Sequence, residues 1–186
     1  GKTSIAEAAA LWAIGYGHRR FVVMIGATDD AACEMMDSVK VLVETGDEFG
    51  EDFPEVCYPI RQMEGINNRS SGQVLNGERT RITWTADEAV LPTVKGSACS
   101  GSRIRVAGIT GRVRGMKAAT ADGKTIRPDF AIADDPQTDA SAVSLVDIGK
   151  REKRLLGAVK GLAGPGKTIA MFVPCTVIAP RDLSDR

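Results

Sequence analysis

Two hydrophobic periods alternate along the chain, one of strand type and one of helix type. Residues 20–27, Arg-Phe-Val-Val-Met-Ile-Gly-Ala, form a nearly continuous apolar run of strand length, the pattern of a central parallel strand covered on both faces. Thr28-Asp29-Asp30 then offers a cap and two first-turn acids to a helix running to about Glu44. Ala32, Met35, Met36, Val39 and Val43 fall on one face of it, so the methionines read as core packing. Upstream, Ala and Leu dominate as far as Gly15, which predicts another helix. Residues 130–133 and 169–173 are further apolar runs and read as parallel neighbours of the first strand. A helix between them starts near Thr138 or Asp139, with Leu145, Ile148, Leu155, Val159 and Leu162 on one apolar face. Its other side carries Lys150, Arg151, Lys153, Arg154 and Lys160, read as a solvated face before a phosphate-backbone contact.

Two regions depart from this rhythm. From Gly46 to about Leu75 the glycines, prolines and Asn67-Asn68 read as loop. Residues 79–84 and 102–107 alternate polar and apolar, which predicts short antiparallel strands added at the edge of a parallel core. The whole predicts one three-layer α/β domain, residues 1–186, with a mostly parallel central sheet and antiparallel edge additions.

Composition narrows the class. Twenty-four Lys and Arg balance 24 Asp and Glu, so no global basic field points to nucleic acid. No apolar stretch is long enough to span a membrane, and Glu7 with no basic leader argues against a signal peptide. Cys33, Cys57, Cys99 and Cys175 lack zinc-site spacing and read as reduced thiols, while His18 beside Arg19 and Arg20 reads as exposed.

Three segments carry candidate chemistry. Gly1-Lys2-Thr3 leads straight into a helix, as the end of a phosphate-binding loop does. In such a loop the backbone N–H groups surround the phosphates, the lysine reaches the terminal pair and the hydroxyl holds Mg²⁺. On this reading the chain starts inside the loop. Residues 161–168, Gly-Leu-Ala-Gly-Pro-Gly-Lys-Thr, satisfy the whole pattern, but they follow a helix and precede a strand, the reverse of what phosphate binding at a helix N-terminus requires. Gly164-Pro165-Gly166 therefore reads as a helix stop and turn, which makes Lys167 structural. Residues 128–135, Pro-Asp-Phe-Ala-Ile-Ala-Asp-Asp, place paired acids after a buried strand, where open α/β sheets bind ligands. The pair reads as a metal site ahead of a surface turn, with Asp134 on Mg²⁺ and Asp135 on the attacking water. Residues 169–173 deliver Thr176 to the same edge, where its hydroxyl could sense a terminal phosphate.

Together with Gly108-Ile-Thr-Gly111-Arg112-Val-Arg114-Gly115 and the run from Val173 to Asp185, these segments make the whole chain resemble the ATPase domain of the large terminase subunits of tailed bacteriophages. The resemblance implies a P-loop ATPase of the ASCE, RecA-like type with its first strand missing and its C-terminal nuclease domain absent. Such a domain couples ATP hydrolysis to the packaging of double-stranded DNA into a procapsid. It implies ATP and Mg²⁺ as cofactors, with Gly1, Lys2, Thr3 and Asp134 binding the nucleotide and Thr3 and Asp134 holding the metal. Asp135 would be the catalytic carboxylate, Thr176 would lie in the coupling segment, and Arg114 would reach a neighbouring subunit's phosphates, with Arg112 and Arg105 close enough to be confused with it. Double-stranded DNA, a portal protein, a small terminase subunit and a homo-oligomeric ring are the implied partners, in the cytoplasm of a bacterial host and with no membrane. The family commonly has Glu where this chain has Asp135, one methylene shorter. The rival readings are a helicase-like or other nucleic-acid-dependent ATPase, and a non-enzymatic DNA-binding or scaffold module.

Overall fold

The computed structural model describes residues 1–186 except Arg112, Arg114, Pro165 and Arg186. Its helices are α1 (Lys2–Gly15), α2 (Asp29–Thr45), α3 (Asp47–Asp52), α4 (Pro54–Arg61), α5 (Asp139–Ala142) and α6 (Leu145–Leu162), with a 3-10 turn at Asn67–Ser70. Its strands are β1 (Phe21–Gly26), β2 (Val74–Leu75), β3 (Glu78–Arg79), β4 (Thr83–Trp84), β5 (Glu88–Val90), β6 (Arg103–Gly108), β7 (Ala118–Ala119), β8 (Thr125–Ile126), β9 (Phe130–Ala133) and β10 (Ala170–Phe172). Among the described residues the main sheet has the order β10-β9-β1-β6-β5-β4, with two small hairpins, β2-β3 and β7-β8, beside it.

The strands β10, β9, β1 and β6 run parallel, so the three apolar runs are the parallel neighbours that the pattern predicts. β1 is buried along its whole length because helices cover both faces. Val22 and Met24 point toward α1 and α2, packing with Ile14, Met36, Val39 and Val43. Phe21, Val23 and Ile25 point the other way, onto Leu155, Val159 and Leu162 of α6. This alternation gives three layers, helix on sheet on helix.

The alternating stretch 102–107 becomes β6, and its place corrects the expectation of an edge strand. β6 lies inside the sheet, parallel to β1 on one side and antiparallel to β5 on the other. Its alternation comes from Arg103 and Arg105, which share Glu88 of β5 at 3.1 Å each, while the Arg103 guanidinium lies 5.6 Å from the Phe21 ring centroid. The sheet accommodates Arg103, which is buried, and Arg105, which is half-buried, by pairing them. Residues 79–84 do not form one strand, because Arg81 adopts φ +54 between β3 and β4. The antiparallel additions are β4 and β5.

Residues 46–75 are more helical than their glycines and prolines suggest. Gly46 ends α2, Pro54 opens α4, and the Phe49 and Phe53 rings pack 4.8 Å apart over Gly15, where a Cβ would meet Phe53 at 2.7 Å. Punctuation residues here mark helix ends. The predicted helix from Thr138 is also two helices, because Ser144 caps a new one, leaving Leu145 68% exposed and off the apolar face. Gly164 (φ +86) and Gly166 (φ +70) form the turn after α6, as predicted, with Pro165 outside the described residues. The four cysteines are unbonded, and burial pushes the Cys57 thiol up to about 11. Among the described residues, no helix is long and apolar enough to cross a membrane.

Candidate functional site

The C-terminal ends of β1 and β9 meet the first turns of α1 in a cavity of about 340 Å³. Thr3 and Glu7 face it from α1, one helical turn apart; Ser38 faces it from α2; and Asp134, Asp135 and Gln137 follow β9. The sheet fixes the first acid through its backbone, since Asp134 N–H donates to the Ile25 carbonyl at 2.9 Å.

Asp134 is 8% exposed, and its Oδ1 has no hydrogen-bond partner. Burial raises its pKa; the Thr3 hydroxyl lowers it, the Asp135 charge raises it further and the Lys2 charge lowers it. Glu7 is also buried, and its pKa is likewise raised by burial, offset by the Ser38 hydroxyl and increased by Asp134. Two carboxyls therefore lie in one low-dielectric pocket with few donors, which favours a cation or a proton there.

Asp135 takes a different role from its neighbour. Its φ of +36 places a non-glycine residue in the left-handed region. That turn aims its side chain away from β9, so its Oδ1 accepts from Thr176 N–H at 2.8 Å while its own N–H donates to the Pro174 carbonyl at 3.0 Å. Gln137 holds the carbonyl of the same residue, donating to the Thr176 carbonyl at 3.0 Å and to Asp182 at 2.9 Å. Asp182 is fully buried and accepts from the N–H groups of Ile178, Ala179, Ser184 and Asp185. Burial would raise its pKa, but the Ile178, Ala179 and Ser184 amides and Gln137 outweigh it and draw it down to about 2.

The structure thus brings Thr3, Asp134, Asp135 and Thr176 to one end of the sheet. Gly1 and Lys2 are exposed at the start of α1, and of the three opening residues only Thr3 lines the cavity. Arg114, and Arg112 beside it, lie outside the described residues. Arg105 is committed to Glu88. Lys167 sits at the opposite end of the sheet, in a cleft with Asp129, which precedes β9.

Sequence reasoning missed three contributors. Glu7 carried a signal, since it stands four residues after Thr3. Gln137 was hidden inside an Asp-Asp-Pro-Gln stretch that reads as a turn. Arg151, read as part of a solvated face, instead donates to the Pro136 carbonyl at 2.8 Å and the Ala27 carbonyl at 3.3 Å, tying α6 to the loops after β1 and β9. Among the described residues, no group of three or more His, Cys, Asp or Glu side chains could hold a metal on its own. No protein-family model matches the chain, and comparison with curated proteins finds no match.

Proposed function

We propose that this chain is the ATP-hydrolysing motor domain of a viral DNA-packaging terminase, of the P-loop ASCE type. The observation that carries the reading is the buried, unpartnered Oδ1 of Asp134, at the C-terminal end of β9 and influenced by the Thr3 hydroxyl one layer away. A buried carboxylate oxygen without a partner calls for a cation. Thr3 and Asp134 are the residues that would hold Mg²⁺, which when bound neutralises developing charge on the phosphates of ATP. Gly1 and Lys2 would belong to the phosphate loop. Asp135 would orient the attacking water, and its shorter side chain depends on the placement of its own backbone. Its Oδ1 accepts from the Thr176 amide, which links the carboxylate to the segment after β10.

In the same reading Arg114 serves a neighbouring subunit of a homo-oligomeric ring, the translocated substrate is double-stranded DNA, and the partners are a portal protein and a small terminase subunit in the bacterial host cytoplasm. The test measures nucleotide binding and DNA-stimulated ATPase separately. Asp134→Asn should weaken Mg²⁺-nucleotide binding, while Asp135→Asn should leave binding nearly intact and slow turnover roughly 10²-fold or more. Equal loss of binding in both variants would overturn the division of roles. Activity that survives Lys2→Ala but not Lys167→Ala would overturn the choice of loop.

A further inference from the structure

The opposite end of the sheet carries a row of cations. Three adjacent parallel strands are each preceded by one: Arg20 directly before β1, Arg127 three residues before β9, and Lys167 three residues before β10. All three are exposed and line one cleft of about 510 Å³ together with Thr125 and Thr168. Adjacent strands stand about 4.8 Å apart, so three of them spread the charges over roughly 10 Å.

Several other cations find carboxylates, since Arg103 and Arg105 share Glu88, Lys124 meets Asp122 and Lys150 meets Asp147, while Arg61, Arg81 and Arg151 donate to backbone carbonyls. Among the described residues, Arg20, Arg127 and Lys167 form no such ion pair. The cleft does contain Asp129, but its two oxygens accept the backbone N–H groups of Arg20 and Phe21, at 3.0 Å each, and so fix the entry to β1. The guanidinium of Arg20 makes one bond, to the Ser100 carbonyl at 3.1 Å, which leaves most of its donors free. Gly164 lets the Arg127 stem lie close over the turn after α6, since a Cβ there would meet Arg127 Cδ at 3.0 Å.

The C-terminus of α6 also ends at this cleft, and its carbonyls favour a cation. That end amounts to about half a negative charge. With Asp129 the negative side comes to about one and a half, against three positive charges, so an excess remains for a ligand. Among the described residues no helix N-terminus lines the cleft to cage a single phosphate, and the cations stand before three neighbouring strands.

We propose that this cleft binds the sugar-phosphate backbone of a nucleic acid, separately from the cavity around Asp134. A row of exposed cations reads charge and spacing and gives binding without sequence preference. The inference does not rest on ATP hydrolysis, and its test reads none.

The experiment measures anisotropy of a labelled 20-base-pair random-sequence DNA duplex titrated with the protein, without nucleotide, from 50 to 200 mM salt. Arg127→Gln, Lys167→Gln, the double variant of these two and the triple variant with Arg20→Gln are compared with a control that removes two charges from the solvent face of α6, Lys153→Gln with Arg154→Gln, and so matches the double variant in charge loss. Each cleft substitution should weaken binding and flatten the plot of log K against log salt by about 0.9 per charge removed. The control should change neither, and all variants should keep the parent melting curve, since the altered side chains are exposed. Cleft variants indistinguishable from the control, or no duplex binding by the parent at 50 mM salt, would overturn the proposal. So would displacement of the duplex by millimolar inorganic phosphate at constant ionic strength, because that would make the cleft a site for the free ion.

Discussion

The backbone N–H of Thr176 donates to Oδ1 of Asp135 at 2.8 Å, joining the loop after β10 to the second acid after β9. Asp135 reaches it only because its backbone turns to φ +36, a region that Asn and Asp tolerate and β-branched residues do not. Asp135→Asn keeps both the acceptor and the tolerance, so its melting temperature should match the parent's. Asp135→Val loses both and should cost on the order of 1–3 kcal/mol in a urea titration. A large loss in the Asn variant would mean that the charge itself holds the turn.

Asp134 and Glu7 should each weaken the fold that contains them. Their folded pKa values lie above the usual carboxylate range, chiefly through burial, so ionising them at neutral pH costs the folded state more than the unfolded one. Asp134→Asn and Glu7→Gln should therefore raise the melting temperature at pH 7, by roughly 2–4 °C if the relief is about 1 kcal/mol. The gain should shrink as the pH falls through the raised folded values toward the ordinary ones near 4, since the parent carboxyls take up protons first in the folded and then in the unfolded state. Differential scanning calorimetry across pH 4–8 reads this, and a gain that grows at low pH contradicts it.

The pH response of Asp182 has the opposite sign. Its carboxyl is drawn down to about 2, so the stabilisation it supplies is complete above the ordinary value near 4 and is lost between about 4 and 2. Amide exchange at Ile178 and Ala179, corrected for intrinsic rates, should accelerate across that window before the sheet amides do. Protection unchanged down to pH 2 would remove Asp182 as the anchor.

Two glycines should respond in opposite directions to alanine. A Cβ on Gly108 would meet the Asp29 nitrogen and the Thr28 carbonyl carbon at 2.6 Å, both backbone, so Gly108→Ala should destabilise by about 1–3 kcal/mol. Gly149 lies within α6 with nothing within 4 Å of a Cβ, so Gly149→Ala should stabilise by about 0.5–1 kcal/mol. Chemical denaturation of the two variants side by side measures both.

Breaking the shared ion pair should be costlier. Glu88→Gln leaves Arg103 and Arg105 without a countercharge, and stripping the buried Arg103 of its partner costs on the order of 3 kcal/mol. A shift in denaturation midpoint below a third of that would mean the arginines repartner.

What the sequence made legible were elements whose local signal and tertiary setting agree. The run of residues 21–27 is apolar throughout because both faces are covered, and the helix after Thr28 carries its cap and its buried stripe in plain view. β6 was misplaced because Arg103 and Arg105 look solvent-facing until Glu88, fifteen residues from one and seventeen from the other, is known to meet them. Leu145 was assigned to a face it does not share, because Ser144 reads as an ordinary helix residue until its hydroxyl is seen to accept from Asp147 N–H. Asn76-Gly77 was a missed hairpin signal: both residues have positive φ, as a tight turn between β2 and β3 requires. At the candidate site, Thr3, Asp134, Asp135 and Thr176 stood out as motif residues. Glu7, Gln137 and Arg151 belong to no short motif and acquire their places only from packing.

Among the described residues β10 pairs only with β9, and its residues are half-buried. From Thr168 to Pro174 the strand region carries no charge, and Ile169-Ala-Met-Phe-Val173 is apolar without interruption. An edge of this kind offers a row of unmatched amides beside sticky side chains, with Lys167 and Pro174 as its only gatekeepers. The consequence is colloidal: whenever that edge stands bare, one copy of the chain is a template for the next. Its solubility should then be set by this short strand, even though the surface charge of the whole chain is balanced.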